Sequence, residues 1–273
     1  MTPPSPKPRE PTRRLLPGLA RKDGFLPHPF DETNGVRTSG LVAGRHLRTG
    51  HTHDRHVTAY YGVAPSVFRA LLVRWRKTRP NPFERTTFVD IGAGMGRAVL
   101  LASELPFRQV LGVELHPTLV RIARRNLAAW RRTGRAQSAA RIIASDAVGF
   151  ELPPGPCVAF LFNPFGAVVM RRWLRALTAA FTPRPGELDI LYVNNEQEGI
   201  FEERCNAIAR QSNPRPAQPD SREDRPNLVR LFHGPIRRSR PDRLADDRIM
   251  ANQPDGEYAS SPHEDCSIWR WMA

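Results

Sequence analysis

Three acidic side chains in this sequence each come at the end of a short apolar run. They are Asp90, Glu114 and Asp146, and the runs before them contain valine or isoleucine. Such runs are typical of buried strands. Ligands of open parallel sheets bind outside the carboxyl ends of the strands, so we expect all three carboxylates to line one crevice.

A glycine-rich turn follows the first of these acids. After Asp90 and Ile91, the chain reads Gly92-Ala93-Gly94-Met95-Gly96, and an apolar run of helical character comes next. Glycine lets the chain turn sharply and lets the backbone approach a ligand without a Cβ in the way. The stretch therefore predicts a strand, a turn and a helix that together form a nucleotide-type cofactor site.

The details of the turn favour one class of cofactor. A dinucleotide fingerprint has a third glycine three residues after the second, where this chain has Arg97. The carboxylate of Asp90 would repel a pyrophosphate, whereas it can accept hydrogen bonds from an ammonium group. We therefore expect a cofactor with a cationic amino-acid tail, and a nicotinamide oxidoreductase is the disfavoured alternative.

Asp90, the glycine turn, Glu114 and Asp146 together resemble the motifs of class I S-adenosylmethionine-dependent methyltransferases, over residues 57–200. The resemblance implies a Rossmann-like, doubly wound α/β fold with a seven-stranded sheet, mostly parallel with an antiparallel last strand. It also implies that Asp90 and the turn hold the methionine part of S-adenosyl-L-methionine. Glu114 would then bind the ribose hydroxyls, and Asp146 would bind the adenine amino group.

A fourth strand is predicted to end in Asn163-Pro164-Phe165-Gly166. There, Asn163 would lie beside the cofactor as well as the acceptor. Its amide oxygen and the Pro164 carbonyl can accept hydrogen bonds from an amine, and Phe165 can form an apolar wall. The tetrad resembles the (D/N)-P-P-(Y/F) signature of adenine-N6, cytosine-N4 and glutamine methyltransferases, with one proline fewer. It also resembles the Asn-containing motif of non-SET lysine methyltransferases, so we assign Asn163 and Phe165 to the catalytic site.

We favour N-methylation of a protein lysine or another amine, with the amino group of a nucleic-acid base as the alternative acceptor. A further alternative is a basic nucleic-acid-binding protein that kept the fold and lost catalysis. The formal net charge of +14 and the pI near 11 suggest affinity for polyanions. Nucleic-acid affinity that falls steeply with salt would support the nucleic-acid alternatives.

The chain divides into three predicted parts. Residues 1–30 hold eight prolines and six Lys or Arg residues against two acids, which predicts a disordered basic tail. Residues 31–80 are predicted to form a loop and a helix near 67–75 that covers the cofactor as a lid, with Tyr60 and Tyr61 in the entering loop. Residues 81–273 would be the methyltransferase domain, with a polar insert at 234–265 that we interpret as a substrate cap.

From the sequence we predict that the protein is cytoplasmic. It has no run of about 18 apolar residues that could span a membrane, and no apolar segment typical of a secretory signal. Cys157, Cys205 and Cys266 lie far apart, which is typical of a reducing compartment. His51, His53 and His56 are close together, but no cysteine or carboxylate set completes them in sequence, so we predict a loop and no metal site.

Overall fold

The computed structural model describes residues 16, 27–78, 80–203, 228–251 and 259–272. Two short strands pair antiparallel near the amino terminus, and seven longer strands form the main sheet. The short ones are β1 (Leu41–Val42) and β2 (Tyr60–Tyr61). The main sheet contains β3 (Thr87–Ile91), β4 (Gln109–Glu114), β5 (Ala140–Ala144), β6 (Cys157–Phe162), β7 (Leu188–Val193), β8 (Leu228–Arg237) and β9 (His263–Trp271).

The order of strands in the main sheet is β5-β4-β3-β6-β7-β9-β8. The first five in this order are parallel, and β9 runs antiparallel to both of its neighbours. The order reverses between β3 and β6, which is the point where open α/β sheets bind ligands. The Rossmann-like seven-stranded sheet with an antiparallel last strand, predicted from the sequence, is confirmed.

Helices cover both faces of this sheet. They are α1 (Pro29–Asn34), α2 (Pro65–Lys77), α3 (Arg97–Ser103), α4 (Pro117–Arg131), α5 (Ala167–Phe181) and α6 (Arg240–Ala251). Apolar residues of α2, α3 and α4 form one core cluster, and those of α5 form a second cluster with the opposite face. The central strands are buried on both faces, which explains their nearly continuous apolar sequences. None of the helices in the described ranges is both long and apolar enough to cross a membrane.

The predicted tail ends before residue 30. His28 and Phe30 are buried, and Pro29 begins α1. The Phe30 ring lies 5.7 Å from the Trp130 ring, centroid to centroid, so a contact with α4 orders a segment whose composition alone predicted disorder. Apart from 27–30, the described residues include only Leu16 of the predicted tail.

The helix predicted to be a lid is a core helix. The apolar face of α2 is buried, and the Phe68 ring lies 5.3 Å from the Phe160 ring of β6, in an edge-to-face contact. Burial of an apolar face against the sheet stabilises the fold more than covering a ligand would, because it removes a whole helix face from water. The segment before α2, and not α2 itself, covers the carboxyl edge of the sheet.

The predicted insert is shorter and more ordered than its sequence suggested. Residues 234–237 belong to β8 and residues 263–265 belong to β9, while α6 lies between these strands. Asp242 of α6 accepts a hydrogen bond from the Ser66 backbone N–H at 2.9 Å and lies 3.3 Å from His28 Nε2. The inner side of α6 therefore packs against the amino-terminal part of the chain.

Candidate functional site

A cleft opens at the carboxyl edge of the sheet, around the point where the strand order reverses. Its free volume, counted out to the open mouth and including solvent space there, is about 970 Å³. Its walls come from the glycine turn, from the ends of β4, β5 and β6, and from residues before α2. They include Asp90, Gly92, Ala93, Gly94, Glu114, Asp146, Pro164, Phe165, Tyr60, Tyr61 and His53.

The glycine turn is shaped by close neighbours. Gly92 and Gly94 have φ angles of 77° and 55°, in the left-handed region that favours glycine. A Cβ on Gly92 would lie 2.5 Å from the Pro164 side chain, and one on Gly94 would lie 2.2 Å from the Tyr60 ring. Ala93, between them, also lines the cleft. The turn therefore lets other parts of the cleft wall come close to the backbone.

Gly96 is not a wall of the cleft, contrary to its predicted cofactor role. It is the residue before α3, with a φ of 88°. A Cβ there would face Ala123 at 3.3 Å and Ile142 at 3.8 Å. Gly96 therefore allows α3 to pack closely against α4 and β5. The spacing of glycines in the sequence does not distinguish this packing role from contact with a ligand.

Asp90 is a buried carboxylate with an unusual environment. It is 3% exposed and lines the cleft, yet no described residue donates a hydrogen bond to its carboxylate or forms an ion pair with it. Burial and the nearby Glu114 carboxylate raise the pKa of the Asp90 carboxyl well above its ordinary value. A buried charge without a partner costs free energy, so this position is complementary to a cationic group of a ligand.

Glu114 is fixed by the backbone around it. One carboxylate oxygen accepts the Gly94 N–H at 2.7 Å, and the other accepts the His116 N–H at 2.7 Å. Burial raises the pKa of the Glu114 carboxyl, and these two hydrogen bonds oppose the rise. Glu114 therefore lines the cleft, as predicted, and it also holds the glycine turn in shape.

Asp146 lies at the far end of the cleft and contacts His53. The two carboxylate oxygens are each 3.3 Å from His53 Nδ1, and Arg172 NH1 lies 2.9 Å from His53 Nε2. A guanidinium only donates hydrogen bonds, so His53 Nε2 must accept and Nδ1 must carry the proton that points to Asp146. Arg172, His53 and Asp146 therefore form a hydrogen-bonded chain along the cleft wall.

Around Asp146, three side chains of types that bind metal ions lie close together. The ligand atoms of His51, His53 and Asp146 all lie within 4.8 Å of one another. The expectation that no carboxylate completes the histidine cluster is thus wrong, because the fold supplies Asp146 from a distant part of the chain. With its proton on Nδ1, however, His53 offers no lone pair toward this group, so the arrangement fits a hydrogen-bond chain better than a metal site.

Asn163 follows β6 as predicted, but its amide does not line the cleft. Its backbone has a positive φ of 39°, and its Oδ1 accepts a hydrogen bond from the Tyr192 hydroxyl at 3.3 Å. The amide oxygen is thus turned toward β7, and this geometry gives no support to its predicted amine-binding role. Phe165, by contrast, does line the cleft and is 6% exposed.

Residues 44–61 form a cover over the cleft that we call the strap. Thr58 donates its backbone N–H to the Pro164 carbonyl at 3.5 Å and its hydroxyl to the Asn163 carbonyl. The His56 carbonyl accepts the Gly166 N–H at 2.8 Å. The strap thus occupies the Pro164 carbonyl, which the sequence suggested for an amine acceptor, as well as the backbone carbonyl of Asn163.

Arg97 has a role that its position in the glycine motif did not reveal. Its guanidinium is buried and donates to Thr38 Oγ1 at 2.7 Å and to the carbonyls of Gly62 and Val63 at 3.0 and 3.3 Å. It joins α3 to the chain on either side of the strap. For Arg97, His53 and Thr58 the sequence holds only a weak signal, because each acts through residues far away in the chain.

No protein-family model matches the chain, and no curated protein matches its sequence significantly. Several solved structures are similar to it at low sequence identity. A precorrin-6y C5,15-methyltransferase from Geobacter metallireducens GS-15 is 13% identical with a TM-score of 0.45, covering 76% of this chain and 88% of that one. The 23S rRNA methyltransferase ErmE is 14% identical with a TM-score of 0.44, covering 75% and 68%.

A third similar structure is a single-residue variant of MtNAS in complex with S-adenosylmethionine. It is 15% identical with a TM-score of 0.42, covering 77% of this chain and 63% of that one. At such identities the activity of this chain has to be argued from its own residues.

Proposed function

We propose that the chain binds S-adenosyl-L-methionine in the cleft and transfers its methyl group to an acceptor. The observation that carries the proposal is the Asp90 carboxylate, buried beside the glycine turn without a described partner. An ammonium group placed there would restore the charge balance that the fold leaves open. The amino-acid end of the cofactor carries such a group.

The surroundings of Asp90 disfavour a dinucleotide. A second carboxylate, Glu114, lies on the neighbouring strand and adds to the rise that burial causes in the pKa of Asp90, so the local field is negative. Arg97 is the nearest cation in the motif, and its guanidinium is already bonded to Thr38 and to the backbone. No charge of the motif is therefore left to neutralise a pyrophosphate at the turn, which a dinucleotide site requires.

The remaining walls suit the other parts of the cofactor. Glu114 and Asp146 follow successive strands and face the same cleft, as expected of groups that bind ribose hydroxyls and an adenine amino group. When bound, the cofactor supplies a methyl group activated by its sulfonium. Pro164 and Phe165 form an apolar part of the cleft wall.

The Asn163 side chain does not indicate the class of acceptor. Because its amide contacts Tyr192, it gives no support to N-methylation of a lysine or another amine.

The test is a calorimetric titration of the full chain with S-adenosylhomocysteine, with NADH as the control ligand. We expect micromolar affinity for the first ligand, which is the range expected of a cofactor product, and none for NADH. A Glu114→Gln variant should bind S-adenosylhomocysteine more weakly. A folded protein that binds NADH, or that binds neither ligand, would refute the proposal.

A further inference from the structure

We propose that the methyl acceptor is a nucleic acid, which lies with its phosphates on the strap and its target base in the mouth of the cleft. This inference rests on the proposed function, because it concerns the acceptor side of the same cleft. It combines the charges of the strap with the aromatic rings that line the cleft.

The rim of the cleft is basic. Arg48 and Arg55 on the strap are exposed, and so is Arg172 of α5, which contacts the strap through His53. No carboxylate among the described residues forms an ion pair with these three arginines. Guanidinium groups that are exposed and lack a carboxylate partner are suited to phosphate oxygens.

The strap contains a single acid, and that acid is already engaged. The Asp54 carboxylate accepts the backbone N–H groups of Thr49 and Gly50, each at 2.7 Å, and that of His51 at 3.1 Å. Partial burial opposes ionisation of Asp54, but these bonds together outweigh it and lower the pKa of the carboxyl. Asp54 therefore shapes the strap and does not neutralise an arginine of the rim.

Some arginines at the opposite edge of the sheet have carboxylate partners. At the amino ends of the strands, Arg135 pairs with Glu104 and Arg184 pairs with Glu187. Arg270 pairs with Asp189 at 2.7 Å. These three arginines of the opposite edge are thus paired with carboxylates, whereas, within the described part of the chain, Arg48, Arg55 and Arg172 are not.

The walls of the cleft include aromatic rings. Tyr61, Phe162 and Phe165 line the cleft, and the Tyr61 and Phe162 rings meet edge to face with their centroids 6.3 Å apart. Bases stack on aromatic side chains with little sequence preference. A basic rim alone would also suit an acidic peptide, and the aromatic lining of the cleft is the observation that favours a nucleic acid.

The experiment compares two pairs of substitutions of equal charge in the full chain. Arg48→Gln/Arg55→Gln removes two rim charges, and Arg85→Gln/Arg108→Gln removes two exposed charges at the opposite edge. Binding to single-stranded RNA and DNA of mixed sequence is measured over a range of salt concentrations. Each probe should be longer than the roughly 4–16 nucleotides that one nucleic-acid-binding fold covers.

We expect the rim pair to weaken binding by about tenfold or more and to lower the slope of log affinity against log salt by about 1.4, for two lost phosphate contacts on a single strand. The control pair should leave the slope nearly unchanged. RNA and DNA serve as separate arms, and stronger binding of one identifies the acceptor.

Three results would overturn the inference. They are no nucleic-acid binding, equal effects of the two pairs, and equally tight binding of a polyglutamate peptide. S-adenosylhomocysteine titration of each variant separates the two proposals. A variant that keeps its affinity for S-adenosylhomocysteine while its affinity for nucleic acid falls locates the effect at the rim. A wild-type protein that does not bind S-adenosylhomocysteine would refute the proposed function itself.

Discussion

On one side of the cleft, the Asp90 carboxylate ends β3 and is buried without a described partner. On the other side, Asn163 follows β6, and both its amide and its carbonyl are bonded within the protein, to Tyr192 and Thr58. Both residues are polar, both lie at the ends of buried strands, and both reach the same edge of the sheet. The first has no partner among the described residues, and the second holds the strap through its carbonyl. A polar residue at a strand end is therefore a candidate for function, and its partners decide whether it is one.

The glycine turn gives the largest expected effect on stability. Gly94→Ala places a methyl group in the left-handed region and into the Tyr60 ring, which is held by its hydroxyl on the Thr38 carbonyl at 2.7 Å. We expect a loss of about 3 kcal/mol in the free energy of unfolding, from backbone strain and overpacking together. Gly134→Ala is the matched control, since it also has a positive φ but nothing within 4 Å of the new Cβ. It should cost only about 1 kcal/mol. Equal losses on denaturant titration would show that the Tyr60 contact does not constrain the turn.

Asp90→Asn tests the open side of the cleft directly. It keeps the shape of the side chain and removes the charge, so affinity for S-adenosylhomocysteine should fall by about 1.5–3 kcal/mol, the usual range for a hydrogen bond to a charged group. Stability should not fall and should rise by about 1 kcal/mol, because a buried unpaired carboxylate is destabilising. Calorimetric titration and thermal unfolding measure the two quantities. Unchanged affinity, or a large loss of stability, would mean that Asp90 is structural.

The pH dependence of cofactor affinity sharpens the same point. The pKa of the Asp90 carboxyl is raised by burial and by Glu114, and only the ionised form attracts an ammonium group. Affinity for S-adenosylhomocysteine should therefore rise with pH through the Asp90 pKa and level off above it, by at most about tenfold per pH unit for one proton. Asp90→Asn should lose most of this dependence. A flat profile in the wild type would contradict a raised pKa.

The closed side of the cleft predicts a smaller effect. Asn163→Ala and Tyr192→Phe should each lower the free energy of unfolding. The double variant should lose about 1 kcal/mol less than the sum of the two single losses, because the two residues share one hydrogen bond. The free energies of unfolding of the four proteins complete the cycle. Additive losses would show that the Asn163 amide is not bound to Tyr192 in solution and would restore its candidacy for the acceptor site.

Much of the fold followed from local patterns. Buried strands, the glycine turn and the acids at the strand ends were predictable because hydrophobic periodicity and backbone freedom depend on residues close together in sequence. The prediction of α2 as a lid was wrong because its apolar face is equally suited to a lid or to a core helix. Only the contact of Phe68 with β6 decides between them.

The candidate site was predictable in part for the same reason. Asp90, Glu114 and Asp146 reach one cleft because parallel strands bring their carboxyl ends to one edge. Gly96 and Asn163 did not follow, since their neighbours come from α4 and β7. Sequence reasoning located the strand ends correctly and could not assign the direction of each side chain.

The sequence by itself determined a Rossmann-like sheet, a glycine turn after β3 and three acids on one edge. These features depend on short-range spacing. The tertiary structure alone decided that the strap covers the cleft, that His53 bonds to Asp146 and that Thr58 occupies the carbonyl of Asn163. The partners in these two contacts lie 93 and 105 positions apart in the chain. Such contacts depend on how the whole chain packs, because a buried polar group bonds to whichever donor or acceptor the fold brings within reach.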